Sequence, residues 1–311
     1  MFITKLVLSV LLSVSQVQSG FAAEPLDGVA IVNQKTSDEI VLIGNEQYAN
    51  GDMRAAITSY SQALNKDPSN LTALFNRGVA YVQLHDYSLS IEDFTRVLKD
   101  KPDYILALHA RGTALRKMGQ YDRAMADHDL AIGSAPNSAD LLHNRALTLR
   151  KLGRVDGAVE DLGRAILLNS DFAPAYKLRA DIYFQRHVYD EALGDYLNAA
   201  RINPEDYGTT YNIGLSLSLL GQFPHAIEAY SRVLKIYPDH MLSLMSRADS
   251  LRLVNEHSRA LVDINHAIEV DPRLGEAHRI RALIYQELGR KVDAANDFDT
   301  AARIGQMKQN N

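Results

Sequence analysis

No cysteine and no tryptophan occur among the 311 residues. Without a thiol there is no disulfide, no lipid-modified cysteine anchor and no cysteine nucleophile, so packing alone must hold the fold. Net charge is also scarce: 33 Lys and Arg against 38 Asp and Glu leave −5. That balance supplies no overall field to draw the chain to DNA, RNA or anionic lipid. There is no glycine-rich phosphate loop, no H-E-x-x-H and no G-x-S-x-G, which removes the common signatures of nucleotide binding, zinc hydrolysis and serine hydrolysis. The only long apolar run is Leu6–Val14, about half of the ~20 residues a bilayer crossing needs.

That run follows Lys5 and precedes Gly20, Phe21, Ala22 and Ala23. Residues 1–23 therefore read as a cleavable secretory signal, cut after Ala22 or Ala23. The expectation is a periplasmic or secreted protein with no stable membrane insertion after cleavage; an N-terminal membrane anchor and a buried first helix are the alternatives. Losing Lys5 and no acid takes the mature chain from −5 to −6. Residues 24–36 form a short leader, either laid over the open end of the first repeat or disordered.

Proline is sparse, nine in all, and its placement organises the chain. Pro68, Pro102, Pro136, Pro204, Pro238 and Pro272 share one period of thirty-four residues, interrupted only at Ser170. Counted from Ser37, there are eight repeats: 37–70, 71–104, 105–138, 139–172, 173–206, 207–240, 241–274 and 275–308, with a tail at 309–311. The eighth place holds only Gly or Ala, from Gly44 to Ala282, and the twentieth only Ala or Ser, from Ala56 to Ala294. Within 71–104, Leu74, Gly78 and Tyr81 form one stripe of helical spacing and Ser90, Phe94 and Val97 a second. The fifteenth place lies between them, with Gly51, Gly119, Gly153, Gly221 and Gly289 in five repeats and His85, His187 and Asn255 in three. It predicts the stop of a first helix, A, in a left-handed conformation. Proline at place thirty-two ends a second, B. Pro174 and Pro224 fall in expected first turns, where proline is tolerated. Small residues at places eight and twenty are expected where A and B press together.

A thirty-four-residue period with these fixed small places and a near-terminal proline resembles the tetratricopeptide repeat. The family aromatic of helix B is matched by Tyr60, Phe94, Tyr196, Tyr230 and Phe298, while His128, Leu162 and Ile264 depart from it. The resemblance implies an all-α fold, a right-handed α-solenoid of helix-turn-helix repeats, and a concave groove that takes an extended or helical segment of another protein. Each repeat buries its apolar face only against its neighbours, so there is no single central core.

Two places vary together inside the chain. Place seven is Arg77, Arg111, Arg145, Arg179, Arg247 and Arg281, and place twenty-three of the same repeats is Asp93, Asp127, Asp161, Asp195, Asp263 and Asp297. The two repeats without the arginine, at Ile43 and Ile213, also lack the aspartate, at Ser59 and Ala229. An unpaired charge in a helix interface is costly whereas an apolar pair is not, so the pattern predicts six structural ion pairs between helices A and B of one repeat.

One helix-A stripe remains, at places two, five, nine and twelve, and it varies from repeat to repeat. The resemblance makes it the groove lining. Its candidate binding residues are His109, Arg116, His143, Arg150, Lys177, Phe184, Tyr211, Leu215 and Met245. A basic first half and an aromatic, apolar middle suit an acidic segment with an apolar anchor, because aromatics, Met and Arg carry binding energy when a partner buries them. The carboxylate clamp of chaperone-binding family members is absent: Asp181 stands where Lys177 and Asn212 would need an Asn, and Leu242 and Ser246 replace its cations. His109 and His143 share a place in adjacent repeats, but two imidazoles without a third ligand make a poor metal site. No metal, cofactor or catalytic group is expected. His128, at the aromatic place, is expected to be buried and hydrogen-bonded. The alternative role is self-assembly: Ala294, Phe298, Ala301 and Ile304 are expected to leave an apolar edge on the last helix, one able to form a homodimer.

Overall fold

The computed structural model describes residues 35–309. The expected signal at residues 1–23, nearly all of the leader and the last two residues of the tail lie outside the described residues.

Among the described residues every element is a helix, and there are sixteen. They run α1 (Ser37–Ala49), α2 (Met53–Lys66), α3 (Leu71–Gln83), α4 (Tyr87–Asp100), α5 (Ile105–Lys117), α6 (Tyr121–Ser134), α7 (Ala139–Lys151) and α8 (Val155–Leu168). They continue as α9 (Ala173–Gln185), α10 (Tyr189–Ile202), α11 (Tyr207–Leu219), α12 (Phe223–Ile236), α13 (Met241–Leu253), α14 (His257–Val270), α15 (Gly275–Glu287) and α16 (Lys291–Gln309). Odd-numbered helices are A and even-numbered ones B. The chain divides into two compact bodies, the first ending at Asp161 and the second starting at Leu162.

Local chemistry explains the boundaries. Thr36 and Glu39 close a reciprocal capping box at the start of α1, so two end-of-helix amides find acceptors. All eight residues at place fifteen have positive φ, from 60° to 63° at His187, Asn255 and His85 and from 73° to 84° at the five glycines. The three side-chain-bearing residues thus adopt the left-handed conformation that glycine takes without steric cost. His85 and His187 share hydrogen bonds of 2.8 and 2.7 Å with Tyr87 and Tyr189 two residues on, a local compensation for the strained turn. Pro174 and Pro224 occupy the first turn of α9 and α12.

Within each body, helices A and B of one repeat pack together, B packs on the next A, and successive A helices approach each other more closely than successive B helices do. The A helices therefore line the tighter side of each body. The small eighth place has a specific cause. A methyl added at Gly44, Gly78, Gly112 or Gly214 would lie 2.5, 2.7, 2.8 or 2.6 Å from the ring of Tyr60, Phe94, His128 or Tyr230, inside van der Waals contact. Ala248 shares a cluster with the smaller Ile264, and Ala180 shares one with Tyr196.

Two expectations need correction here. Met245 and His109 are buried, at 9% and 8% exposure; Met245 belongs to the core around Ile227, Leu244 and Leu251 and offers nothing to a groove. On α16, Ala294 and Ile304 are also buried, and Ile304 packs beside Gly275. The last helix, nineteen residues long against fourteen for the other B helices, turns part of its apolar edge inward.

Candidate functional site

Each of the six arginines at place seven donates Nε and Nη2 to the two carboxylate oxygens of the aspartate sixteen residues on, at 2.7 to 2.8 Å. This is the bidentate fork that guanidinium geometry favours. The aspartates are buried and the arginines part-buried. The side-chain hydrogen bond raises the guanidinium pKa of Arg77, Arg145, Arg179 and Arg281 more than burial lowers it.

A third contact is not anticipated by the pairing of places seven and twenty-three. Nη1 of Arg77, Arg111, Arg145, Arg247 and Arg281 donates to Ser61, Thr95, Asp129, Ser231 and Asn265, at 2.8 to 3.1 Å. These acceptors sit at place twenty-five of the preceding repeat, so one guanidinium ties its own helix B to the previous one. Arg179 faces Gly163 there and has no such acceptor. Repeat six, where Ile213 replaces the arginine, follows Leu197, which could accept nothing. Comparing place twenty-five with the next place seven would have revealed this bond from the sequence.

The helix-A stripe differs between the bodies. In the second, the cations are neutralised: Lys177 donates to Asp206 at 2.6 Å, and Arg252 is held by Asp249 at 2.8 Å and Glu287 at 2.5 Å. Around them Phe184 meets Tyr189 edge-on at 5.4 Å, and Tyr211 lies 5.8 Å from Tyr230 and 5.7 Å from His240. Phe184, Tyr211 and Leu215 are part-buried and keep some surface, while Leu242 is 53% exposed. Asp181 accepts from the Tyr196 hydroxyl at 2.7 Å.

In the first body, among the described residues, no carboxylate lies within ion-pair reach of Arg116 or Arg150, both part-buried. Arg116 shares the stripe with His109 and Thr113 on α5 and faces His128 of α6 and His143 of α7. Burial holds the imidazoles well below their ordinary value of 6.5, with Arg116 adding repulsion: to about 4 at His109, about 3 at His128 and about 4 at His143. Burial also lowers the Arg116 guanidinium. His128 is fully buried with neither ring nitrogen hydrogen-bonded to protein, contrary to the hydrogen-bonded state expected for it. Among the described residues, no three His, Asp or Glu side chains converge to hold a metal ion.

Family profiles described as "TPR repeat" and "Tetratricopeptide repeat" match residues 44–85 and 209–240, and a further "Tetratricopeptide repeat" profile matches 75–139, 109–174 and 143–207. Together they cover more than half of the chain. Tetratricopeptide repeat protein 36 of Homo sapiens is 30% identical over 96 residues, 30% of this chain and 51% of that protein. Tetratricopeptide repeat protein 6 of Homo sapiens is 26% identical over 144 residues, 45% of this chain and 27% of that protein. The chain thus spans between about a quarter and half the length of these curated relatives. Among solved structures, the C-terminal part of a repeat protein from Cytophaga hutchinsonii matches with a TM-score of 0.64 at 17% identity, over 74% of this chain and 95% of that one. PilW, described as a widely conserved type IV pilus biogenesis factor, matches with a TM-score of 0.60 at 22% identity, over 65% of this chain and 94% of that one. A likeness at these identities concerns the fold alone.

Proposed function

Because the chain belongs to the tetratricopeptide repeat family, we propose that it is a non-enzymatic scaffold that binds a segment of another protein along the helix-A stripe. The observation that carries this reading is the contrast between places. Places seven, eight, twenty and twenty-three are committed to packing and ion pairs, whereas the stripe varies freely and in the first body carries Arg116 and Arg150 without carboxylate partners. Cations that the fold leaves unneutralised are available to an acidic segment, and the part-exposed Phe184, Tyr211 and Leu215 can take an apolar anchor. Lys177 and Met245 contribute less: the first is already paired and the second is buried. No helix of the described residues is long and apolar enough to cross a membrane. The amino-terminal sequence supports action in the cell envelope or outside the cell, in assembly or secretion.

Capture from an envelope extract tests this reading. Arg150→Glu and Tyr211→Ala should each weaken recovery of the bound protein at least tenfold, Arg150→Glu without lowering thermal stability. The same proteins at the same yield from wild type and both variants would contradict it.

Self-assembly through α16 is the second reading, favoured by Phe298, Val292 and Met307, which are 37%, 74% and 59% exposed. The burial of Ala294 and Ile304 leaves it the weaker of the two.

A further inference from the structure

Unpaired buried polar groups concentrate at one place in the first body. Among the described residues, seven buried side-chain polar atoms lack a hydrogen-bond partner, and five of them belong to His109, Thr113, Arg116 and His128. Buried polar groups are nearly always satisfied, so a concentration of this kind calls for a reason. Two other repeats show what the same places do when satisfied by the fold. In the first repeat, Tyr60 at place twenty-four donates its hydroxyl to Asn45 at place nine, 2.9 Å away, and in the fifth Tyr196 donates to Asp181 at 2.7 Å. In the third repeat the corresponding pair is His128 and Thr113. Neither ring nitrogen of His128 nor the hydroxyl of Thr113 is paired.

The unpaired groups are chemically matched. Arg116 Nε is a cationic donor, Thr113 Oγ1 and His109 Nδ1 can donate, and a protonated imidazole adds a second positive charge. His109, Thr113 and Arg116 fall at i, i+4 and i+7 on α5, one face of the helix. The His109 and His128 rings are 6.2 Å apart. The groups facing His109 are Arg116 on its own helix, His128 from α6 and His143 from α7, and Tyr87 and Tyr121 lie near the guanidinium. No acid is among them. A cationic donor beside groups that can each donate, with no carboxylate among them, fits an anion rather than a metal ion.

Resting on the reading of the stripe as a protein-binding face, we propose that Arg116, His109 and Thr113 form a proton-coupled receptor for one carboxylate of the bound segment, with His128 as a positioning residue behind His109. An arriving carboxylate accepts from Arg116 and Thr113. Its negative charge draws one proton from solvent onto an imidazole that otherwise stays neutral, and the proton returns to solvent on release. Binding therefore tightens as pH falls.

The full chain, with its histidine ring nitrogens followed by NMR, tests this without any partner, using sodium acetate and inorganic phosphate as probes. Acetate should shift the His109 and His128 signals saturably and should bind about tenfold more tightly per pH unit between pH 7 and 5, the slope of one linked proton. Arg116→Gln should abolish the response. Thr113→Val should weaken it while retaining the fold, which guards against a variant that fails for want of structure. Rings indifferent to acetate would overturn the proposal, as would a response to phosphate alone or a pH-independent one. Because no segment is needed, failure here is separable from failure of the stripe reading, which the capture experiment decides.

Discussion

Replacing Asp263 with alanine is expected to destabilise the second body by about 3 kcal/mol, the scale of stranding one partner of a buried ion pair. The side chains of Asp263 and Arg247 are 7% and 21% exposed. Removing the carboxylate would leave a cation between two helices with only its Ser231 contact, 2.8 Å away. The companion substitution Arg247→Ile in the same chain should restore stability to within about 1 kcal/mol of wild type, since an apolar pair carries no such desolvation term. The protein already contains that pair: Ile213 and Ala229 are each 6% exposed in the same body. Denaturant unfolding of wild type, single and double variants gives the comparison. A double variant as unstable as Asp263→Ala would show that the pair is not the unit of stabilisation.

The second large effect is with pH. His109, His128 and His143 are held near 4, 3 and 4 in the folded chain, against an ordinary 6.5 once unfolded. These are depressed values, so between about 6.5 and 4 the unfolded state binds protons the folded state refuses. Their contribution is intact above pH 6.5 and is lost as pH falls. At pH 5 each imidazole costs up to about 2 kcal/mol. Their coupling through Arg116 keeps the sum to about 3 to 5 kcal/mol. His128→Phe supplies the ring that Phe94 provides beneath Gly78, here beneath Gly112. It should raise stability at pH 7 by about 1 to 3 kcal/mol, the scale of an unsatisfied buried polar group, and should shrink the acid loss by about one imidazole. Thermal melts at pH 7 and pH 5 check both. A variant less stable than wild type at pH 7 and equally acid-sensitive would refute this assignment.

Much of the fold was legible because a period of thirty-four is repeated and each repeat tests the others. Place fifteen is left-handed even at His85, His187 and Asn255, where no glycine signals it. The arginine and aspartate of each pair stand sixteen residues apart in six repeats, and that constancy made their contact readable. The site was legible only in outline. Spacing locates a stripe, but not how deep each side chain lies in it, and helical periodicity alone could not separate the buried Met245 from the part-exposed Tyr211. Neutralisation of Lys177 by Asp206 reaches past the whole of α10, and that of Arg252 by Glu287 joins two repeats, so neither follows from a single-helix pattern. His128 and Thr113 stay unpaired where Tyr60 bonds Asn45 and Tyr196 bonds Asp181 at the same two places, a difference that only coordinates expose.

Site-directed photo-crosslinking most directly tests whether the helix-A stripe is the face that meets a protein partner. A photoreactive phenylalanine placed at Leu147, on the stripe of α7, is compared with one at Leu130, 58% exposed on helix B of the preceding repeat. Adducts of one discrete mass from Leu147, lost with Arg150→Glu, and none from Leu130 are the predicted result. Adducts from Leu130 with none from Leu147 would contradict it.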